Sequence, residues 1–188
     1  MEETKVRDLM VPSAQFPKIA DSATLFETLL ALESAQERYL SGQSDQRILL
    51  VEDGAGRVIG KISPIDLLRG LETNYPQLSS EEVVSRFGLD YIWKSMRAEL
   101  HLWEDPFRDL CRRADRIRVR DFSRPPAEGH RVVADDTLAA CLHLFVMSRH
   151  DALFVVDGDE ILGLLRFSDV YRMVSRILHD CGRGTDQP

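Results

Sequence analysis

The chain repeats itself. Val6-Arg7-Asp8-Leu9-Met10-Val11-Pro12 returns 113 positions later as Val119-Arg120-Asp121-Phe122-Ser123-Arg124-Pro125. Ile19-Ala20-Asp21 with Thr24-Leu25 returns as Val133-Ala134-Asp135 with Thr137-Leu138. Leu49-Leu50-Val51-Glu52-Asp53-Gly54 matches Leu153-Phe154-Val155-Val156-Asp157-Gly158. Gly60-Lys61-Ile62-Ser63-Pro64-Ile65-Asp66-Leu67 matches Gly163-Leu164-Leu165-Arg166-Phe167-Ser168-Asp169-Val170. Matching blocks in one order mean one supersecondary unit built twice. The offset falls to about 104 after the second block. The first copy therefore carries an extra stretch near 36–45, expected as a polar loop around Ser41-Gly42.

Each copy reads as strand, helix, strand, strand, helix, so the fold class is α/β in the α+β sense. A short strand ends at Ile19 or Val133. Asp21 with Ser22, and Asp135 with Asp136, are candidate acceptors for the free amides that open a helix. Leu25, Phe26, Leu29, Leu30 and Leu32 recur at helical spacing, as do Leu138, Cys141, Leu142 and Phe145. The apolar runs 48–51 and 153–156 precede Asp-Gly turns and read as buried strands. A further strand ends at Ile62 or Leu165, and an amphipathic helix follows. Two such units packed together can cover the sheet faces that one leaves bare.

Between the copies lies a different segment. Ser79 and Glu82 have capping-box spacing, and Asp105-Pro106 resembles a second helix start. Leu89, Ile92, Trp93, Met96, Leu100 and Trp103 form a helical apolar stripe, either packed within the chain or presented to a partner. The expected organisation is a first repeat over 1–72, a helical insert over 73–118, a second repeat over 119–180 and a loose tail over 181–188.

Composition narrows the function classes. Of 188 residues, 44% are hydrophobic and 29% charged, as in a globular protein. The net charge of -7 disfavours a broad grip on nucleic acid or anionic membrane. Three widely spaced cysteines with no CxxC give no zinc or redox pair and suggest reduced thiols in a cytoplasm. The acidic, mixed start Met1-Glu2-Glu3-Thr4-Lys5 is unlike a signal peptide. No apolar run approaches the roughly 20 residues of a membrane helix.

The repeated order is similar to that of the CBS domain: Val-Arg-Asp-Leu-Met-x-Pro, a Thr-Leu helix start, an apolar strand with an Asp-Gly turn, then Gly-x-Ile-Ser-x-x-Asp-Leu. The resemblance covers about 4–72 and 119–179. It implies two β-α-β-β-α repeats packed as a pseudo-two-fold pair, with the helical insert between them. Such pairs commonly bind adenosine-containing ligands and regulate an attached or partner protein, without catalysis.

The chemistry of Ser63-Pro64-Ile65-Asp66 has two readings. At a strand-to-helix junction, free amides favour phosphate, and an aspartate offers a ribose diol two acceptor oxygens. Equally, Ser63 and Asp66 have capping-box spacing with proline at the first helical position. The aspartate recurs as Asp169. By the resemblance, Asp66 would pair with Val132, His150 and Ala152, and Asp169, with Ser168, with Met10, Arg47 and Ile48 near Gln46. Arg166 stands where the family often has Ser or Thr; it removes a cap but offers a phosphate donor. Leu50 and Phe154 replace the family's common proline, and Asp151 would bring negative charge toward Asp66. The Asp169 site, with Arg166 and Arg47, is therefore expected to be the occupied one.

Other constellations are weaker. Seven arginines between 108 and 124 against three aspartates form a solvated face or a partner surface. His143 and His150 are seven apart but lack further metal ligands. Cys141 sits in an apolar helix and reads as core. GxSxG, P-loop, HExxH and GxGxxG motifs do not occur. The sequence thus points to a cytoplasmic regulatory module binding AMP, ADP or ATP, with no required cofactor and no metal. A homodimer and an unidentified regulated protein partner are expected; membrane and nucleic acid are not. The alternative is a protein-protein interaction or dimerisation module with no small-molecule ligand.

Overall fold

The computed structural model describes residues 4–71, 110–148 and 150–184. The stripe from Leu89 to Trp103 and both helix starts predicted in the insert lie outside these residues. The described chain forms two compact units. One gathers the N-terminal segment to Phe16, Arg57–Ile59 and the chain from Pro125. The other gathers Pro17–Gly56 and Gly60–Arg124. These are called the C-terminal and the N-terminal unit, after the repeat that each contains.

The first repeat has a three-stranded sheet of β2 (Lys18–Ala20), β3 (Leu49–Glu52) and β4 (Val58–Ile62), in the order β2-β3-β4. β2 and β3 run parallel. Leu49, Leu50 and Val51 are all buried, as expected of a central strand covered on both faces. Helix α1 (Leu25–Leu40) buries Leu25, Thr28, Leu32 and Ala35, one face at helical spacing. Phe26 and Leu30, predicted to join that face, are exposed. α2 (Pro64–Gly70) follows β4.

Two local expectations are corrected. Asp21 does not cap α1; Thr24 does. The Thr24 hydroxyl accepts from the Glu27 amide at 3.0 Å, and Glu27 accepts from the Thr24 amide at 2.6 Å. A hydroxyl one residue before the helix meets the orphan amide that a more distant aspartate cannot reach. The extra stretch of the first copy is half helix and half loop: residues 36–40 extend α1, and the expected turn at Ser41-Gly42 follows. α1 runs for 16 residues, against 11 in its counterpart. Residues 33–40 consist of good or moderate helix formers, and Gly42, at φ 73°, lies just beyond the end.

The C-terminal unit has a four-stranded sheet in the order β1-β7-β6-β5. Its strands are β1 (Val11–Pro12), β5 (Arg131–Val133), β6 (Ala152–Asp157) and β7 (Glu160–Arg166). β5 pairs parallel with β6, and β1 and β6 pair antiparallel with β7. The core joins Val6, Val132, Leu138, Cys141, Phe145 and Val170 with the buried faces of β6 and β7. Between β5 and β6 runs α5 (Leu138–Ser148), and α6 (Phe167–Gly184) follows β7. The short α3 (Leu110–Ala114) and α4 (Val119–Phe122) belong to the N-terminal unit.

The compact units do not follow the repeat boundaries, because the first repeated block is exchanged. Val6 and Arg7 donate their amides to the Asp136 and Ala134 carbonyls, each at 3.0 Å. Val119 and Arg120 donate to Ala23 and Asp21, each at 2.9 Å. Each block thus hooks onto the turn that opens the other copy's first helix. The hooks are self-capped: the Lys5 amide donates to Asp8 at 2.9 Å, and the Arg118 amide to Asp121 at 2.8 Å. Val6 and Val119 are fully buried at the centres of their hooks.

Candidate functional site

The site residues predicted around Asp66 divide between the units. Asp66 and Ser63 lie in the N-terminal unit; Val132, His150 and Ala152 lie in the C-terminal one. Those predicted around Asp169 divide likewise: Met10, Arg166, Ser168 and Asp169 in the C-terminal unit, Arg47 and Ile48 in the N-terminal one.

Asp66 is held by its own helix start. The amide and hydroxyl of Ser63 donate to one carboxylate oxygen at 2.9 and 2.6 Å, and Arg69 donates to the other at 3.0 Å. The capping-box geometry is therefore present in the N-terminal repeat. Arg47 is exposed and lies over the Tyr39 ring at 5.4 Å, while Ile48 is half-buried. Val132 is a core residue and Ala152 is buried on β6. His150 meets His130 edge-on at 3.4 Å between ring centroids.

At the matching junction of the C-terminal repeat, Arg166 ends β7 and Asp169 sits in the first turn of α6. Arg166 donates through Nε and Nη2 to the two carboxylate oxygens of Asp169, at 2.5 and 2.8 Å. The pair is well covered, with side-chain exposures of 15% and 9%. Such a fork-to-fork pair fixes both groups more firmly than a single contact. Arg172, one turn on and 62% exposed, adds a bond to Asp169 at 3.3 Å. Ser168 is exposed, and Met10 packs against the unit's core.

This junction opens into a cavity of about 440 Å³ contained in the C-terminal unit. Arg166, Asp169, Arg172 and Arg176 line it from β7 and α6, and Thr4 and Asp8 from the hook. Leu9, Val11 and Met173 give it an apolar wall. Three guanidinium groups face two carboxylates, so the lining carries a formal excess of one positive charge. An anion or a phosphorylated ligand with an apolar part matches that lining. Arg172 and Arg176 were missed from sequence. Their signal was present, because positions three and seven beyond Asp169 share its helix face.

Other candidates resolve simply. Cys141 is fully buried, and that burial, with Asp136 as a lesser cause, pushes its thiol up to about 11. A thiol so protonated at neutral pH is a poor nucleophile. His143 is exposed. Among the described residues, no cluster of three or more His, Cys, Asp or Glu side chains is arranged to hold a metal. Among them, too, no helix is long and apolar enough to cross a membrane.

The CBS domain family model matches residues 119–176. No curated protein matches the chain in sequence. Its fold is similar to solved structures over most of their lengths. One is a CBS domain-containing protein of unknown function from Kribbella flavida DSM 17836: 19% identity, 92% of this chain and 98% of that one covered, TM-score 0.52. Another is such a protein from Bacillus anthracis str. Ames Ancestor: 16% identity, 93% and 95% covered, TM-score 0.58. A third is CBSX2 in complex with AMP: 20% identity, 92% and 97% covered, TM-score 0.51. The matched segment makes the second repeat a CBS domain, and the fold of the whole chain is similar to that of these CBS-domain structures.

Proposed function

We propose that the protein is a regulatory module that binds an adenine nucleotide, with Asp169 as its principal ligand-binding carboxylate. One observation carries the reading: the cavity lined by Asp169, Arg166, Arg172 and Arg176. It combines sugar acceptors, phosphate donors and an apolar wall, and these four residues lie in the family-matched segment. CBSX2, a structural neighbour, is solved with AMP. In this reading no cofactor is required and no catalysis is assigned: the aspartates would hold hydroxyls. A cytoplasmic setting fits the thiols.

Calorimetry with AMP, ADP and ATP tests this. Asp169→Ala is expected to weaken binding about ten- to hundredfold, the loss of a charge-assisted hydrogen bond, and Arg166→Ala to weaken it by releasing Asp169 from its held position. Asp66→Ala is expected to bind nearly as the wild type. If Asp66→Ala abolishes binding and Asp169→Ala does not, the ranking of the two sites is wrong.

A second reading is an interaction module without a small ligand. It is favoured by the internal pairing of both aspartates: Asp66 with Ser63 and Arg69, and Asp169 with Arg166 and Arg172. Failure of every adenine nucleotide to bind at millimolar concentration, or to raise the melting temperature, would select it.

Either reading includes a homodimer. Leu67 and Val170, from the apolar stripes of α2 and α6, are buried within the chain. Ile65, Leu68, Phe167, Tyr171, Ile177 and Leu178 remain exposed on the same helices. Two-fold pairing would cover such faces. Light scattering that gives a monomer mass at high concentration, with and without nucleotide, would rule it out.

A further inference from the structure

The cavity extends along α6 beyond the pair that closes its start. Arg172 and Arg176 stand one helical turn apart on the face that carries Asp169, and both line it. Their states differ from that of Arg166. Arg166 spends two donors on Asp169 and is largely covered. Arg172 makes a single contact at 3.3 Å and is mostly exposed. Arg176 is exposed and makes no ion pair among the described residues. Arg166 is thus a positioning residue for Asp169, while Arg172 and Arg176 keep donors for a ligand.

The spacing sets a scale. At 1.5 Å of rise per residue, Arg172 lies about 4.5 Å and Arg176 about 10 Å along the axis from Asp169. A sugar held at Asp169 places its first phosphate within reach of Arg172, and only a longer phosphate chain reaches Arg176. We propose that Arg172 and Arg176 measure the phosphate chain, so that the cavity selects nucleoside di- and triphosphates over monophosphates and uncharged nucleosides. This rests on the nucleotide reading of the same cavity and adds its specificity. The flexible, exposed side chains can close on the chain, and guanidinium forks suit phosphate oxygens. Asp8, on the hook side of the lining, adds a repulsive element that weak anions would feel without the compensation of a second arginine.

The test is calorimetry on the full chain with adenosine, AMP, ADP, ATP and inorganic tripolyphosphate, using wild type, Arg172→Ala, Arg176→Ala and Arg176→Lys. Circular dichroism melts establish that each variant is folded. Wild type is expected to bind ADP and ATP about tenfold or more tightly than AMP, as for one added charge-assisted contact. Arg176→Ala removes that advantage and leaves AMP within about twofold; Arg176→Lys, keeping the charge without the fork, restores part of it. Arg172→Ala weakens all three nucleotides. Tripolyphosphate competes with ATP, and Arg176→Ala reduces the competition. Equal affinity for AMP and ATP, or an Arg176→Ala loss that is the same for both, overturns the proposal while leaving nucleotide binding intact. Tripolyphosphate binding that depends on Arg176, in a protein that binds no nucleotide, overturns the nucleotide reading and keeps the phosphate-chain site.

Discussion

Arg166 grips Asp169 through both carboxylate oxygens at the position where the first repeat uses Ser63 to hold Asp66. The two junctions are the same device with different chemistry. A neutral hydroxyl and amide hold one oxygen of Asp66, with the exposed Arg69 on the other; a well-covered cation holds both oxygens of Asp169. Truncating either partner of the second pair leaves the other charge poorly hydrated. Arg166→Ala and Asp169→Ala should each lower stability by about 1–3 kcal/mol. Arg166→Ser should lose less than Arg166→Ala, because serine can rebuild the capping arrangement of the first repeat. Urea melts of the singles and the double variant give the coupling; strict additivity would mean that the pair contributes nothing.

Gly163 is required by the neighbouring backbone. A Cβ there would stand 2.2 Å from the Val11 carbonyl oxygen, so alanine would have to push β1 away from β7. At Gly60, its counterpart, the nearest atoms are the Ser123 hydroxyl at 3.1 Å and the Arg124 carbonyl oxygen at 3.2 Å, a conflict that small shifts relieve. Gly163→Ala is expected to cost about 1–3 kcal/mol or more, as overpacking does, and Gly60→Ala clearly less. Denaturation midpoints ranking the two the other way round would contradict this contact geometry.

Much of this was legible in the sequence, for identifiable reasons. The apolar runs ending at Val51 and Val156 gave buried strands because a covered strand has no polar face to disguise it. Asp66 and Asp169 stood out because a repeated polar residue at a helix start has a physical job in both copies. The hook exchange was not legible. Val6-Arg7-Asp8 has no periodicity long enough to name an element, and its bonds go to residues 134–136, a separation that no local pattern encodes. Gly60 and Gly163 were visible as repeated letters, yet the carbonyls they admit come from the exchanged segments. α1 outran its predicted end because Glu33 to Leu40 has helix propensity without a continuous apolar stripe. Arg172 and Arg176 share the helix face of Asp169, yet were passed over because charged residues on an amphipathic helix ordinarily face water.

The hook's strength resides in burial more than in its surface charges. Val6 is fully buried, whereas Arg7 and Asp135 form an exposed ion pair. Arg7→Ala should change stability by no more than about 1 kcal/mol. Val6→Asp should cost about 3 kcal/mol or more, because an unpaired carboxylate would enter the core. It should also speed hydrogen exchange at Leu138, whose amide donates to the Thr4 carbonyl at 3.1 Å. Unchanged exchange at Leu138 in a destabilised Val6→Asp variant would show that the hook and the α5 start are not coupled.

Cys141 provides a pH-dependent reporter of the C-terminal core. Its thiol is raised from 9.0 to about 11, by burial first and then by the Asp136 charge. Cys111 and Cys181 are exposed. At pH 8, alkylation of the folded protein should therefore label Cys111 and Cys181 and spare Cys141. The stability effect follows from proton counting. Between pH 9 and about 11 the unfolded thiol has lost its proton while the folded one keeps it, so the folded state binds more protons and stability falls as pH rises. Below pH 9 both states hold the proton and the contribution is constant. Lysines and tyrosines titrate in the same alkaline range, so the comparison must cancel them. Urea melts of wild type and Cys141→Val at pH 8, 9, 10 and 11 do so, since the two proteins share every other group. The stability of wild type relative to Cys141→Val should stay level to pH 9 and then decline. A difference that is flat through pH 11, or Cys141 labelling as fast as Cys111 at pH 8, would mean that the thiol is reached by solvent and the core around α5 is open.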